Sequence, residues 1–289
     1  MIKYLRLSRL QQWHKNGIVL AALLFAGEAN DTSQLTLALI ATFIFALLSS
    51  SIYIINDILD RESDRLHDTK RHRPIASGEV TITSASIAAF LIAAVALIGA
   101  NQLGTRFLVI AVMFVALNIL YSSVLKKIVI VDVMSIAFSF VLRAYAGAVA
   151  INVDASHWMI IMTLLLALFL GFGKRRHELQ CSDSNGISHR PILGQYSSYL
   201  LDQCISVTTA SVLVMYILYT LSPEVSTKLG TQELYFTIPF VIYGIFRYLY
   251  LIHKQEKGGS PSKVMIDDKP ILLTIIFWLI TVIFIMYWR

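Results

Sequence analysis

The string Asn56-Asp57-Ile58-Leu59-Asp60-Arg61-Glu62-Ser63-Asp64 sets three aspartates at i, i+3 and i+7. On a helix those positions share a face, so a helix continuing out of the preceding apolar run would stack all three carboxylates. Carboxylates stacked in this way repel one another unless a cation sits among them. Hard oxygen ligands of this kind, with the amide oxygen of Asn56 beside them, suit Mg2+ bridging to a substrate phosphate. Asn56, Asp57, Asp60 and Asp64 are therefore the expected metal ligands. Lys70, Arg71 and Arg73 follow at once and supply positive charge for the same phosphate. The bland alternative is a solvated loop helix of alternating charges. Against it stand the one-sided acids, Asn56 four residues before Asp60, and the Arg73-Pro74-Ile75-Ala76-Ser77-Gly78 stop that ends the segment.

The elements that must position these residues are membrane helices. Of 289 residues, 56% are hydrophobic and 15% charged, and the mean hydropathy is +0.68, which excludes an ordinary soluble domain of this length. A helix needs roughly 20 apolar residues to cross the bilayer core. Nine stretches are candidates, near 17–27, 36–56, 82–101, 106–122, 129–151, 157–173, 203–221, 234–252 and 270–288, the first falling short of that length. The expected fold is all-α, a polytopic bundle of nine spans forming one domain over 1–289, with polar loops near 57–80 and 174–202. These loops follow helices two and six, a spacing that hints at a duplicated half-bundle. Most of the 24 Lys and Arg fall in the N-terminal arm and in the loops near 57–80, 123–128, 174–202 and 253–269. The positive-inside rule then places the N-terminus and the motif loops in the cytoplasm of a bacterial-type inner membrane, with the C-terminus on the opposite side. The basic pI of about 9.3 reflects that asymmetry and the pull of anionic lipid rather than nucleic acid. The first apolar run lacks a small-residue cleavage site and is expected to stay as a helix. Cys181 and Cys204 fit no metal pattern and read as incidental.

A second group of charges follows the sixth span: Gly173-Lys174-Arg175-Arg176-His177-Glu178-Leu179, then His189-Arg190-Pro191 and Tyr196-Ser197-Ser198-Tyr199. Topology alone would put basic residues at this helix end. Lys174 and Glu178, at i and i+4, could form a surface pair worth roughly 0.2–0.5 kcal/mol, whereas Arg175 and Glu178 could face a cleft. Arg143 lies well inside a span, where an arginine costs about 2.5–3.5 kcal/mol unless it meets polar company. Asp132 shares its helical face but lies roughly 16 Å away along the axis, so the partner must be something else; a place facing the central cavity is expected, the alternative being a structural or snorkelling role. Arg247 is near enough to a cytoplasmic helix end to reach water with its stem. Gly147, Ala144 and Ala148 suit close helix packing, and Tyr216, Tyr219, Tyr248 and Trp288 read as interface anchors.

The Asn-Asp-x-x-Asp-x-x-x-Asp spacing of Asn56, Asp57, Asp60 and Asp64 after a second membrane helix resembles the first motif of the UbiA superfamily of intramembrane prenyltransferases, and the likeness runs over essentially the whole chain. Ordinary members carry a second aspartate-rich motif after helix six. Here Asp183 and Asp202 are isolated, and a cation cluster stands in that place. Together with Gln12-Trp13-His14-Lys15-Asn16, Lys70-Arg71-His72-Arg73-Pro74, and Tyr121-Ser122 with Leu125-Lys126, this resembles the decaprenyl-phosphate phosphoribosyltransferase branch. The resemblance implies a Mg2+-dependent transfer of 5-phosphoribose from phosphoribosyl pyrophosphate to a polyprenyl phosphate, with pyrophosphate released. One acid motif and extra cations suit a donor with a 5-phosphate and an acceptor with its own phosphate. The implied catalytic residues are Asp57, Asp60, Asp64, Lys70 and Arg73. The implied substrate-binding residues are Lys15, Asn56, Tyr121, Lys126, Arg143, Lys174, Arg175, Glu178, Tyr196 and Arg247. The alternative is a UbiA-type prenyltransferase joining an isoprenoid diphosphate to an aromatic acceptor, and the absent second acid motif counts against it. A transporter or lipid-binding scaffold in which the aspartates coordinate an ion would place acids within the spans, which hold almost none.

Overall fold

The computed structural model describes residues 2–66, 70–185, 191–254, 259 and 261–287; His67, Asp68, Thr69, His189, Arg190 and Trp288 lie outside these. Every regular element among the described residues is a helix. Eight are long and apolar enough to cross a membrane. The chain divides into two compact units, Met1–Ala155 and Ser156–Arg289.

The first unit holds α1 (Ile2–Leu7), a 3-10 segment (Leu10–Leu20), α2 (Ala21–Ala26), α3 (Thr32–Leu59), α4 (Arg61–Arg65), α5 (Ile82–Gln102), α6 (Thr105–Ser123) and α7 (Val131–Ala150). α3 begins where the Asp31 carboxylate accepts from the Ser33 and Gln34 amides, at 2.7 and 3.3 Å, an N-cap that satisfies otherwise orphaned donors. Its 28 residues extend about 42 Å, against about 30 Å for the hydrocarbon core. The surplus lets its last turn carry Asn56 and Asp57 beyond the lipid. The core of this unit is built on Phe45, which meets Phe107 edge-on at 5.8 Å and Phe114 at 5.0 Å. Buried Ala41, Ala96, Ala100, Ala111, Ala146 and Ala150 surround that cluster and permit close helix approach.

The first expected span, 17–27, takes a different form. It is split between the 3-10 segment and α2, and it is not among the eight long helices. At about 2.0 and 1.5 Å per residue for the two helix types, the pieces together still extend roughly 30 Å. Gly147 shows what holds this segment: a Cβ there would lie 2.0 Å from the Val19 carbonyl oxygen, so α7 meets the segment backbone to backbone. The packing role read for Gly147, Ala144 and Ala148 therefore holds, all three being buried.

The second unit holds α8 (His157–Asn185), α9 (Ser198–Leu221), α10 (Pro223–Leu229), α11 (Ile238–Lys254), α12 (Pro261–Asp267) and α13 (Lys269–Tyr287). Both units pack alike, the first long helix against the second and the third against the fourth. The stretch expected as a loop from 174 is helical through Asn185, because Lys, Arg, Glu and Leu are all good helix formers. Tyr216, Tyr219 and Tyr248 are buried in this unit rather than placed as interface anchors. The Tyr216 hydroxyl lies 2.7 Å from Thr237 Oγ1 and accepts from Trp278 Nε1 at 2.7 Å, so its polar tip is satisfied within the fold.

Candidate functional site

In the first unit the acid motif is bent rather than straight. α3 ends at Leu59, Asp60 takes φ −92° and ψ 5°, and α4 begins at Arg61. The backbone ladder survives the bend through Asp60 N–H to Asn56 C=O (2.9 Å) and Asp64 N–H to Asp60 C=O (2.8 Å). The bend separates the three carboxylates, which the sequence placed on one face. Asp57 and Asp64, each 3% exposed, both accept from Arg73 Nη1, at 3.0 and 2.5 Å. Asp60 turns to Lys126 Nζ at 2.6 Å, and the Asn56 amide donates to its other oxygen at 3.0 Å.

Arg73 is brought to the acids by the return that follows them. Lys70–His72 form a 3-10 turn, Val80 N–H closes onto Pro74 C=O at 2.9 Å, and Gly78 takes φ 83°. Ile75 and Val80 drive this return inward, buried with Leu7, Ile54, Ala85 and Ala89. Arg65 Nε donates to the Ala76 carbonyl at 3.2 Å, and Arg6 donates to the His72 carbonyl at 3.1 Å. α1 and α4 thus hold the return from two sides.

Arg9 is a participant that the sequence did not disclose. Its Nη2 donates to Asp57, and its guanidinium lies 5.3 Å from the Tyr53 ring centroid. The residue sits in the left-handed region, φ 48° and ψ 50°, a conformation uncommon for a non-glycine residue and frequent at functional sites. No local pattern marks this, since Arg9 and Asp57 are 48 residues apart. Lys15 lies half-buried in the 3-10 segment, Tyr121 in the last turn of α6, and Lys126 in the turn after it.

One Arg73 nitrogen takes both buried carboxylates, so Asp57 and Asp64 already present oxygens to a shared cation. That donor set is hard and anionic, as Mg2+ requires, and Asp60 with Asn56 stands one helical turn away. Among the described residues no three His, Cys, Asp or Glu side chains are gathered around one point. The fit is therefore to the Asp57–Asp64 pair, with Asp60 and Asn56 as accessory oxygens.

In the second unit the basic run lies on α8. Arg175, 1% exposed, donates from Nη1 to Glu178 Oε2 at 2.7 Å, and Lys174 Nζ approaches Glu178 Oε1 at 3.7 Å. The two pairings left open by the sequence both occur, on one carboxylate. Arg176 Nε meets Asp202 Oδ1 at 2.5 Å, and His253 Nε2 approaches the same oxygen at 3.4 Å. Asp202, isolated in sequence, is thus an ion-pair acceptor between α8, α9 and α11. Arg247 forms a two-pronged pair with Asp268, Nε to Oδ1 at 3.2 Å and Nη2 to Oδ2 at 2.9 Å, while Asp268 also caps α13 at Ile271 N. Tyr196 is buried at the end of the Pro191–Gln195 3-10 turn. The two units thus divide the expected site residues: Asn56, Asp57, Asp60, Asp64, Lys15, Lys70, Arg73, Tyr121, Lys126 and Arg143 on the first, and Lys174, Arg175, Glu178, Tyr196 and Arg247 on the second.

A family model described as the UbiA prenyltransferase family matches residues 17–267. The chain belongs to the UbiA prenyltransferase family. It is 32% identical to a decaprenyl-phosphate phosphoribosyltransferase of Corynebacterium glutamicum, over 99% of this chain and 86% of that one. It is 31% identical to the protein of the same name from Mycolicibacterium smegmatis, over 95% and 89%. Among solved structures, a UbiA homolog from Archaeoglobus fulgidus bound to GPP and Mg2+ matches with a TM-score of 0.72 at 20% identity, covering 97% of this chain and 99% of that one. The UbiA fold is thus shown across both units, and the protein is an integral membrane transferase of this family.

Proposed function

We propose that the protein transfers the 5-phosphoribosyl group of phosphoribosyl pyrophosphate to the phosphate of a polyprenyl phosphate lipid, releasing pyrophosphate, with Mg2+ as cofactor. The observation that carries this reading is the make-up of α8. Where a prenyl diphosphate enzyme of this family would show its second acid motif, the described residues show Lys174, Arg175 and Arg176, and Glu178 is held by two of these cations. The names of the two bacterial relatives support the same reaction.

Bound by Asn56, Asp57, Asp60 and Asp64, Mg2+ would screen the donor diphosphate and ease departure of pyrophosphate. Arg73, paired with Asp57 and Asp64, and Lys70, three residues before it, would neutralise charge that builds on the leaving group. The C1–O bond to pyrophosphate breaks as a lipid phosphate oxygen bonds C1, and pyrophosphate leaves with the electron pair. The acceptor is already an anion and needs no strong general base. Attack from the face opposite the leaving group inverts C1. Lys15, Tyr121, Lys126, Lys174, Arg175, Glu178, Tyr196 and Arg247 form the pool from which the donor 5-phosphate and the acceptor phosphate are held. The donor is water-soluble and enters from the cytoplasm, and the acceptor enters from the bilayer.

The test is a paired incubation of purified protein with Mg2+. One mixture contains labelled phosphoribosyl pyrophosphate and polyprenyl phosphate; the other contains a prenyl diphosphate and an aromatic acid. Label is expected in the lipid of the first mixture. Product in the second mixture alone overturns the proposal in favour of an aromatic prenyltransferase.

A further inference from the structure

Arg143 is a buried cation, 5% exposed, and none of its hydrogen bonds reaches a carboxylate among the described residues. Its Nε donates to Asn16 Oδ1 at 2.9 Å, and its Nη1 donates to the Ser139 carbonyl at 3.0 Å and to Ser139 Oγ at 2.9 Å. Its Nη2 donates to Ser49 Oγ at 3.3 Å. Phe114 and Phe140 lie over the guanidinium at 4.5 and 5.1 Å. Four of the five N–H groups of an arginine are thus directed at protein oxygens, and aromatic rings cover the plane.

Asn16, 0% exposed, is the hub of this arrangement. Its Oδ1 accepts from Arg143 and from Ser49 Oγ (3.1 Å), and its Nδ2 donates to the Trp13 carbonyl at 3.3 Å. Trp13 Nε1 in turn donates to Ser50 Oγ at 2.9 Å, and Ser50 Oγ donates to the Ser8 carbonyl at 2.9 Å. The 3-10 segment is therefore fastened at Trp13, Asn16 and Val19, and the chain just before it at Ser8. Its N-cap residue is Arg9, in the left-handed conformation and paired with Asp57.

We propose that Arg143 is a positioning residue that touches no substrate. Its guanidinium clamps Asn16, fixes the 3-10 segment between α3 and α7, and so sets Arg9 on the acid motif. The inference deepens the proposed phosphoribosyl transfer and rests on it for its kinetic readout. A second readout, amide hydrogen exchange of residues 8–20 in the substrate-free protein, does not depend on the reaction.

The experiment uses the full chain in lipid nanodiscs. Arg143→Gln is expected to speed exchange across 8–20 and to raise the KM for phosphoribosyl pyrophosphate at least about tenfold, leaving the KM for polyprenyl phosphate unchanged; misplacement of about 1 Å transmitted from a distance can cost up to about 100-fold. Gly147→Ala changes neither Arg143 nor any substrate contact, yet drives a methyl into the Val19 carbonyl, and it is expected to give the same pattern. Asn16→Asp hands the guanidinium a carboxylate and is expected to keep exchange slow and both KM values within about threefold of the parent. Were Arg143 a phosphate-binding residue, that new carboxylate would compete with substrate. An Asn16→Asp variant with slow exchange and a KM raised at least about tenfold overturns the proposal, and so does Arg143→Gln with unchanged exchange. If Arg143→Gln does not accumulate, the other two variants decide. Absence of phosphoribosyl transfer by the parent protein would sink the proposed reaction alone, because the exchange comparison still judges the clamp.

Discussion

Arg73 gives a single nitrogen to two buried carboxylates, so its removal leaves Asp57 and Asp64 facing one another with Arg9 as the remaining paired cation at Asp57. Breaking such a pair from one side typically costs about 3–5 kcal/mol, because a buried charge loses its partner. Arg73→Ala is therefore expected to lower the detergent melting temperature as well as activity, and thermal unfolding followed by Trp fluorescence reads the first effect. Asp60 differs, being paired with the half-exposed Lys126. Asp60→Ala is expected to abolish turnover while leaving the melting temperature nearly unchanged; near-normal activity in that variant would remove Asp60 from the metal site. The acid motif was legible because type and spacing were both local. Its partition was not: the distribution of Asp57 and Asp64 to Arg73, and of Asp60 to Lys126, depends on a bend at one residue and on partners up to 66 residues away. The need of Arg143 for company was likewise readable from the cost of a charge inside a span, but Asn16, 127 residues distant, carries no mark in sequence as its partner.

At the scale of elements, the return from Lys70 to Val80 decides where Arg73 stands. Gly78 is its pivot, at φ 83°, with open space where a Cβ would go. Gly78→Ala therefore meets no clash and isolates the backbone cost, about 1–2 kcal/mol for an L-residue in the left-handed region. The expected result is a modest loss of stability with a raised donor KM, measured by melting and by initial rates; unchanged values in both would mean that the return tolerates another path. The long helices were visible in the hydropathy pattern because each is a continuous apolar run. Two elements were not. The first run is broken into 3-10 and α pieces by side-chain bonds from α3 and α7 that periodicity cannot register. α8 continues past its apolar part because helix propensity persists through the basic run, whereas polarity alone suggested a loop.

Over the whole molecule, four long helices fall in each unit among the described residues; the acid motif begins in the last turn of the first long helix of its unit, and the basic run lies in the C-terminal half of the first long helix of the other. This is the spacing that suggested a duplicated half-bundle, and the shared packing order of the two units supports it. Since the two motif regions are separated by an even number of long helices, both are expected on one side of the membrane. Single cysteines placed at exposed Glu79 and Lys127 on the first unit, and at exposed Lys254 on the second, in a background with Cys181 and Cys204 replaced by Ser, should be labelled by an impermeant maleimide only in inverted vesicles. Labelling of Lys254→Cys in right-side-out vesicles would contradict that orientation.

The guanidinium shared by Asp57 and Asp64 has one more effect. A protein that carries its own counter-charge at this spot has little appetite for stray divalent ions, and its resting form is expected to bind magnesium weakly in calorimetric titration. If the donor is phosphoribosyl pyrophosphate, as proposed, its magnesium chelate would bring both the metal for the acids and a diphosphate to receive the arginine now paired with Asp57 and Asp64. On the proposed reaction, metal and sugar donor would then arrive together, and the ion would be exchanged with each turnover instead of residing permanently in the membrane enzyme.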